Sequence, residues 1–101
     1  MADIARPGDW NAEDTYWRAQ YKRRPYAQSS RTYDYYRPAY RYGFEAASRY
    51  EGRQWTDVES DLRRDWETYP HRGTEKSTWE SIKDAVRDAW DRVTGRARAT
   101  V

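Results

Sequence analysis

Trp55, Val58, Leu62, Trp66 and Tyr69 stand at offsets 0, 3, 7, 11 and 14, and Trp79, Ile82, Val86, Trp90 and Val93 repeat those offsets 24 residues later. Residues spaced in this way follow one another along a single stripe of an α-helix. The positions between them are mostly Asp, Glu, Arg and Ser, so the opposite face is charged and wet. Two amphipathic helices are therefore predicted. Their ends fit the pattern: Thr56-x-x-Glu59 and Ser77-x-x-Glu80 read as capping boxes, Pro70 and Gly73 break the chain between the helices, and Gly95 is placed to stop the second. Glu59 with Arg63 and Asp88 with Arg92 are i,i+4 pairs of the favoured polarity. The remaining charges read as a solvated face.

The spacing recurs upstream in "YDYYRPAYRYGF", where Tyr33, Tyr36, Tyr40, Phe44 and Ala47 fall at the same offsets. Pro38 disfavours helical geometry at Arg37 and suits a first turn, so the helix is expected to run from about Pro38 to Arg49 or Tyr50. Tyr33 and Tyr36 then belong to a lead-in folded over the bundle, and Tyr35 and Tyr42 lie off the core stripe. Gly43, mid-helix, costs about 1 kcal/mol relative to Ala and is expected to mark a close helix contact. Earlier still, Trp10, Trp17 and Tyr21 occupy offsets 0, 7 and 11, with Glu13 in the slot at 3. This predicts a short helix between Asn11 and Arg23, stopped by Pro25 and followed by a loop, "PYAQSSRT". The expected fold is all-α: a small three-helix bundle with an aromatic, basic N-terminal arm able to form a fourth short helix. One domain, 10–94, is expected between flexible ends at 1–9 and 95–101.

Composition alters this picture in one respect. The large aliphatics are only Ile4, Val58, Leu62, Ile82, Val86, Val93 and Val101, and Phe44 is the one phenylalanine. That scarcity points to disorder only when joined to a high net charge, and here the formal charge is +2. Six tryptophans and ten tyrosines take the place of the aliphatics. A marginally stable fold, or one completed by a partner, is expected. The absence of cysteine removes disulfide and thiol chemistry. No apolar run reaches membrane-spanning length, and the opening "MADIARPGDWN" lacks the basic-then-apolar order of a signal peptide, so no membrane contact and a cytoplasmic location are expected.

Charge is unevenly placed. Residues 17–53 carry nine Lys and Arg against three Asp and Glu, whereas 55–95 carry seven against ten. Such polarity draws the two halves together, or joins copies head to tail. The basic half interleaves cations with rings: Lys22, Arg23, Arg24 and Tyr26, then Arg31, Tyr35, Arg37, Arg41 and Tyr42. These nine are the candidate interaction residues. Tyr, Trp and Arg dominate protein-binding hot spots, which favours a small non-enzymatic accessory protein that binds a protein partner or its own copies through this half. The alternative is single-strand nucleic-acid binding through 18–42, by backbone neutralisation and base stacking. The near-neutral chain, its acidic helices and the lack of a recognised nucleic-acid module weigh against it.

Catalysis finds little support. His71 is the sole histidine and lies in "YPHRG", and no phosphate-binding, nucleophile-elbow or zinc-protease motif occurs. Asp57, Asp61 and Asp65, like Glu80, Asp84 and Asp88, line one helix face each, but carboxylate sites in bundles normally include histidine. No catalytic residue, metal, cofactor or small-molecule substrate is expected. Use of the many tyrosines and tryptophans as a sink for oxidising radicals is chemically open, with no positive sign in the sequence.

Four segments carry a resemblance: "YWRAQYKRRPYA", "DYYRPAYRYGFEAASRY", "DVESDLRRDWE" and "WESIKDAVRDAWDRV". Their order and content resemble a family of small uncharacterised bacterial proteins with the motifs W-R-x-x-Y-x-x-R-P-Y, Y-x-P-A-Y-R-Y-G, L-x-x-D-W and V-R-D-A-W-x-R. In this chain they fall on Trp17 to Tyr26, Tyr36 to Gly43, Leu62 to Trp66 and Val86 to Arg92. The resemblance implies an accessory or stress-associated role and transfers no functional residues.

Overall fold

A computed structural model describes residues 9–73 and 77–95. The periodic segments form four α-helices: α1 (Trp10–Gln20), α2 (Tyr33–Arg49), α3 (Trp55–Trp66) and α4 (Trp79–Thr94). A 3₁₀ turn, Tyr21–Arg23, continues α1, and no strand occurs among the described residues. The arm thus does form a helix, ending before Pro25. Asp9 caps α1 by accepting from the Asn11 amide at 3.0 Å. At the far end Gly95 closes α4 at φ 81°, a conformation that costs glycine nothing and a β-carbon residue much. The expected flexible ends, 1–9 and 95–101, lie outside the described residues except for these two caps.

The α3–α4 repeat is buried as its spacing requires. Val58, Leu62, Trp66, Ile82, Val86 and Trp90 are all inaccessible, Trp55 and Trp79 nearly so, while Tyr69 and Val93 pack half-buried at the margin. Two predicted caps fall elsewhere. Gln54 caps α3, its amide donating to the Asp57 carboxylate at 3.4 Å, so Thr56 and Glu59 lie inside the helix. Thr78 occupies the N-cap position of α4 without a side-chain capping bond, and Ser77 is buried ahead of it, its carbonyl accepting from the Trp66 indole N–H at 2.7 Å. In both cases the tryptophan that begins the helix is a core residue, and its burial fixes where the first turn starts.

The larger correction concerns α2. It begins at Tyr33, five residues before the expected start, and carries Pro38 inside it. An interior proline costs ~3 kcal/mol, yet the turn ahead of it is held by tertiary bonds. The Tyr33 hydroxyl donates to Asp14 at 2.8 Å and the Tyr35 hydroxyl to Ser81 at 2.9 Å. Tyr36 accepts from the Gln28 amide at 3.1 Å. These anchors outweigh the local preference. They also make α2 the central helix, packed on α1 along one side and on α4 along another. Tyr33, Tyr36 and Tyr40 are buried on the first side, and Tyr35 and Tyr42 are buried as well. Its exposed residues are Asp34, Arg37, Ser48 and Arg49, with Arg41 and Glu45 half-buried between them. Gly43 sits where α2 meets α4: a β-carbon there collides with the Val86 carbonyl oxygen and lies 2.9 Å from Ala89 Cβ. The close contact expected of it is present.

Candidate functional site

The nine candidate residues do not form one surface. Three of their six cations are paired with carboxylates within the chain. Arg24 reaches α4, its Nε 2.7 Å from Asp88 Oδ2 and its Nη2 3.0 Å from Oδ1. Arg37 reaches α1 in the same two-pronged way, 3.0 and 3.2 Å from the Asp14 oxygens, and Arg41 bonds Glu45 on its own helix at 3.0 Å. Arg31 lies 4.1 Å over the Tyr35 ring. The aromatic members are likewise engaged. Tyr42, expected off the core stripe, is 2% exposed, and its hydroxyl donates to the Leu62 carbonyl at 2.7 Å. Tyr35, expected there too, is 8% exposed. Both were misplaced because a one-stripe reading suits a helix with one buried face, and α2 has two. Lys22 and Arg23 remain exposed and form no ion pair among the described residues.

A second arrangement emerges from these pairings. Three carboxylates each accept from one arginine and one tyrosine. Asp88 takes Arg24 and the Tyr26 hydroxyl at 2.7 Å; Asp14 takes Arg37 and Tyr33; Glu45 takes Arg41 and the Tyr69 hydroxyl at 2.8 Å. The guanidinium supplies charge and a planar fork, and the phenol fills a remaining lone pair. At Asp14, burial pushes the carboxyl pKa up, but the bonds from Arg37 and Tyr33 outweigh it and the net direction is down. Each phenol is driven the other way. Burial raises Tyr26, Tyr33 and Tyr69, and the adjoining carboxylate raises all three further. Burial alone dominates at Tyr40 and Tyr42. Tyr40 completes a chain. A carboxylate only accepts, so Tyr26 spends its one proton on Asp88, and Tyr40, 2.7 Å away, donates to Tyr26.

The i,i+4 partners expected on α3 and α4 are replaced by longer reaches. Arg63 bonds Glu80 across the two helices at 3.4 Å, and Arg92 bonds Glu13 on α1 at 2.9 Å. Glu13 fills the apolar slot of its stripe and is 2% exposed, sealed by that guanidinium, which also rests 3.5 Å over Tyr16. A carboxylate at a core offset was the one visible sign of these cross-helix pairs. For Asp14, Glu45 and Asp88 spacing held no such sign, because their partners come from other elements or from a face read as solvated.

Two clefts flank α2. One, of roughly 610 Å³, is lined by Arg37, Pro38 and Arg41 with Pro70, His71 and Arg72; its arginines are paired to Asp14, Glu45 and Glu67. The other, of roughly 490 Å³, lies between the 3₁₀ turn and the start of α2, with Lys22 and Arg31 in its wall and no carboxylate among the described residues. In the acidic runs on α3 and α4, Asp61, Asp65, Glu80 and Asp88 pair with arginines or a lysine, and no cluster of three His, Asp or Glu is placed to hold a metal among the described residues. No helix among the described residues is long and apolar enough to cross a membrane. No protein-family model, curated protein or solved structure matches this chain.

Proposed function

We propose that this is a small non-catalytic accessory protein of the cytoplasm that binds an acidic protein surface, that of a second copy included, through the basic end formed by Lys22, Arg23 and the adjoining cleft. One observation carries the reading. Arg24, Arg37 and Arg41 are matched to internal carboxylates, while Lys22 and Arg23 stand exposed with no ion pair among the described residues, and the cleft that Lys22 lines holds no carboxylate among them. Two uncompensated cations at one end of a nearly neutral molecule steer an acidic partner to that end. Asp57 and Asp84 are exposed on the acidic half, so a second copy presents the complementary charge. The aromatic contribution is smaller than the sequence suggests, since Tyr35 and Tyr42 are consumed in the core. A stacking platform for single strands is not formed by Tyr26, Tyr35 and Tyr42.

The test is light scattering of the pure protein across the micromolar range, at low and physiological salt, paired with affinity capture from native cells. Lys22→Glu with Arg23→Glu is expected to abolish both association and capture without changing the helical spectrum. A strict monomer that retains nothing, or a variant that retains the same partners, refutes the reading. Labelled single-stranded DNA and RNA form the second arm. Micromolar binding that survives physiological salt and is lost in the variant transfers the function to nucleic acid.

A further inference from the structure

The half of the molecule built by α1, α2 and the loop between them holds a continuous run of oxidisable rings. Trp17 stacks on Tyr40 with centroids 4.4 Å apart and planes 5° from parallel. Half-exposed Tyr16 meets the edge of Trp17 at 4.9 Å, and Tyr40 faces Tyr33 at 6.1 Å. Tyr26 joins through its hydroxyl, 2.7 Å from that of Tyr40. Two members of the run already share their phenolic proton with a carboxylate: Tyr26 with Asp88 at 2.7 Å and Tyr33 with Asp14 at 2.8 Å.

We propose that this run is a one-electron relay, which accepts an oxidising equivalent at Tyr16 or Trp17 from a diffusing radical oxidant and holds it as a neutral tyrosyl radical on Tyr26 or Tyr33. The chemistry follows from the hydrogen bonds. A phenol that loses an electron becomes a strong acid and must shed its proton at once, so oxidation is easy only where a base already touches the O–H. At Tyr26 the oxidant gains one electron, the phenolic O–H bond breaks, and the proton crosses to Asp88 Oδ2, leaving Tyr26–O• beside a neutral carboxylic acid. Only the electron leaves the protein. Arg24, fixed on the same carboxylate through two bonds, holds Asp88 in place against the phenol so that the proton has a short path back. Reduction by a small hydrogen-atom donor of the ascorbate class then supplies the electron, Asp88 gives the proton back, and the donor's own proton goes to solvent.

Tyr40 has no carboxylate of its own, and its proton points at the Tyr26 oxygen, which makes it a way station. Burial of Tyr33 and partial burial of Tyr26 keep the radical from coupling with a second tyrosine in solution. This role needs no partner and stands apart from the basic end.

The experiment is flash oxidation of the full chain by a ruthenium tris-bipyridine sensitiser with a sacrificial acceptor, followed by transient absorption and freeze-quench electron paramagnetic resonance. The wild type is expected to show tryptophan radical decaying into tyrosyl radical, with a solvent deuterium effect on that step. Trp17→Phe should cut the tyrosyl yield several-fold. Asp88→Asn should remove the Tyr26 component and shift what remains to Tyr33. Should Asp88→Asn fail to fold, Tyr26→Phe leaves the Arg24 pair intact and is expected to produce the same shift. Tyrosyl yields unchanged in the folded variants, or radicals distributed only by solvent exposure over Tyr16 and Tyr50, overturn the proposal.

Discussion

Raising the pH should unfold this protein in one sharp step just above the point where free tyrosine ionises. Five phenols, those of Tyr26, Tyr33, Tyr40, Tyr42 and Tyr69, have pKa values pushed well above the ordinary 10.0, by burial first and by neighbouring carboxylates or phenols after it. A group with its folded pKa raised contributes its full stability below the unfolded value, and loses it as pH climbs from there towards the folded value. Here the loss begins near pH 10. At about pH 11 each phenol ionises freely in the unfolded chain but not in the folded one, a difference of about 1.4 kcal/mol. Five such groups amount to about 7 kcal/mol, within the range of about 5–15 kcal/mol that holds a small domain together. The assay is a pH titration that follows tyrosinate absorbance and far-ultraviolet dichroism on one sample. The five raised phenols should ionise together with helix loss. Helicity that persists to about pH 12 while all ten tyrosines titrate gradually would refute the linkage argument.

Gly43→Ala should destabilise the domain by about 1–3 kcal/mol in urea unfolding despite its better helix propensity, because the added methyl meets the Val86 carbonyl and cannot be relieved without separating α2 from α4. Arg92→Ala should cost about 3–5 kcal/mol by the same measurement, since it strands the Glu13 carboxylate in the core, and Glu13→Gln should cost clearly less. Tyr42→Phe should cost about 1 kcal/mol for the bond to Leu62, and Tyr42→Ala about 3–5 kcal/mol, enough to melt a marginal domain in a thermal scan. Equal, small effects of the two Tyr42 changes would show that its ring carries no packing.

Periodicity made α3 and α4 legible because every core offset in them is Trp, Tyr, Leu, Ile or Val, with polar residues between. It succeeded at Tyr40 and Ala47 for the same reason. It failed at Tyr35 and Tyr42 because tyrosine is ambiguous by itself: an apolar ring with a polar tip suits either a wet face or a core that offers the hydroxyl an acceptor. Ser81 and the Leu62 carbonyl are those acceptors, and both come from other helices. The start of α2 was hidden by Pro38, whose local penalty is visible in sequence while the anchors that outweigh it are not. The candidate site was legible as a cluster of basic and aromatic residues. Its use was not, since the carboxylates that absorb Arg24 and Arg37 lie on other helices and looked like part of a wet surface.

The pairing of Arg24 and Tyr26 with Asp88, 64 and 62 residues downstream, has a consequence during synthesis. A ribosome releases the basic half first, and Asp88 and Arg92 emerge only with the last helix. Until then Arg24 has no counter-charge, Glu13 has no Arg92, and the Tyr40–Tyr26 chain has no terminus. Each early helix can form and melt on its own, but none can be locked. The last turns of α4 therefore act as the closing event of folding, and contacts of such long sequence separation make that event slow for so helical a protein. In the interval the nascent segment 17–53, with nine Lys and Arg against three Asp and Glu, stays net positive beside the densest source of phosphate in the cell.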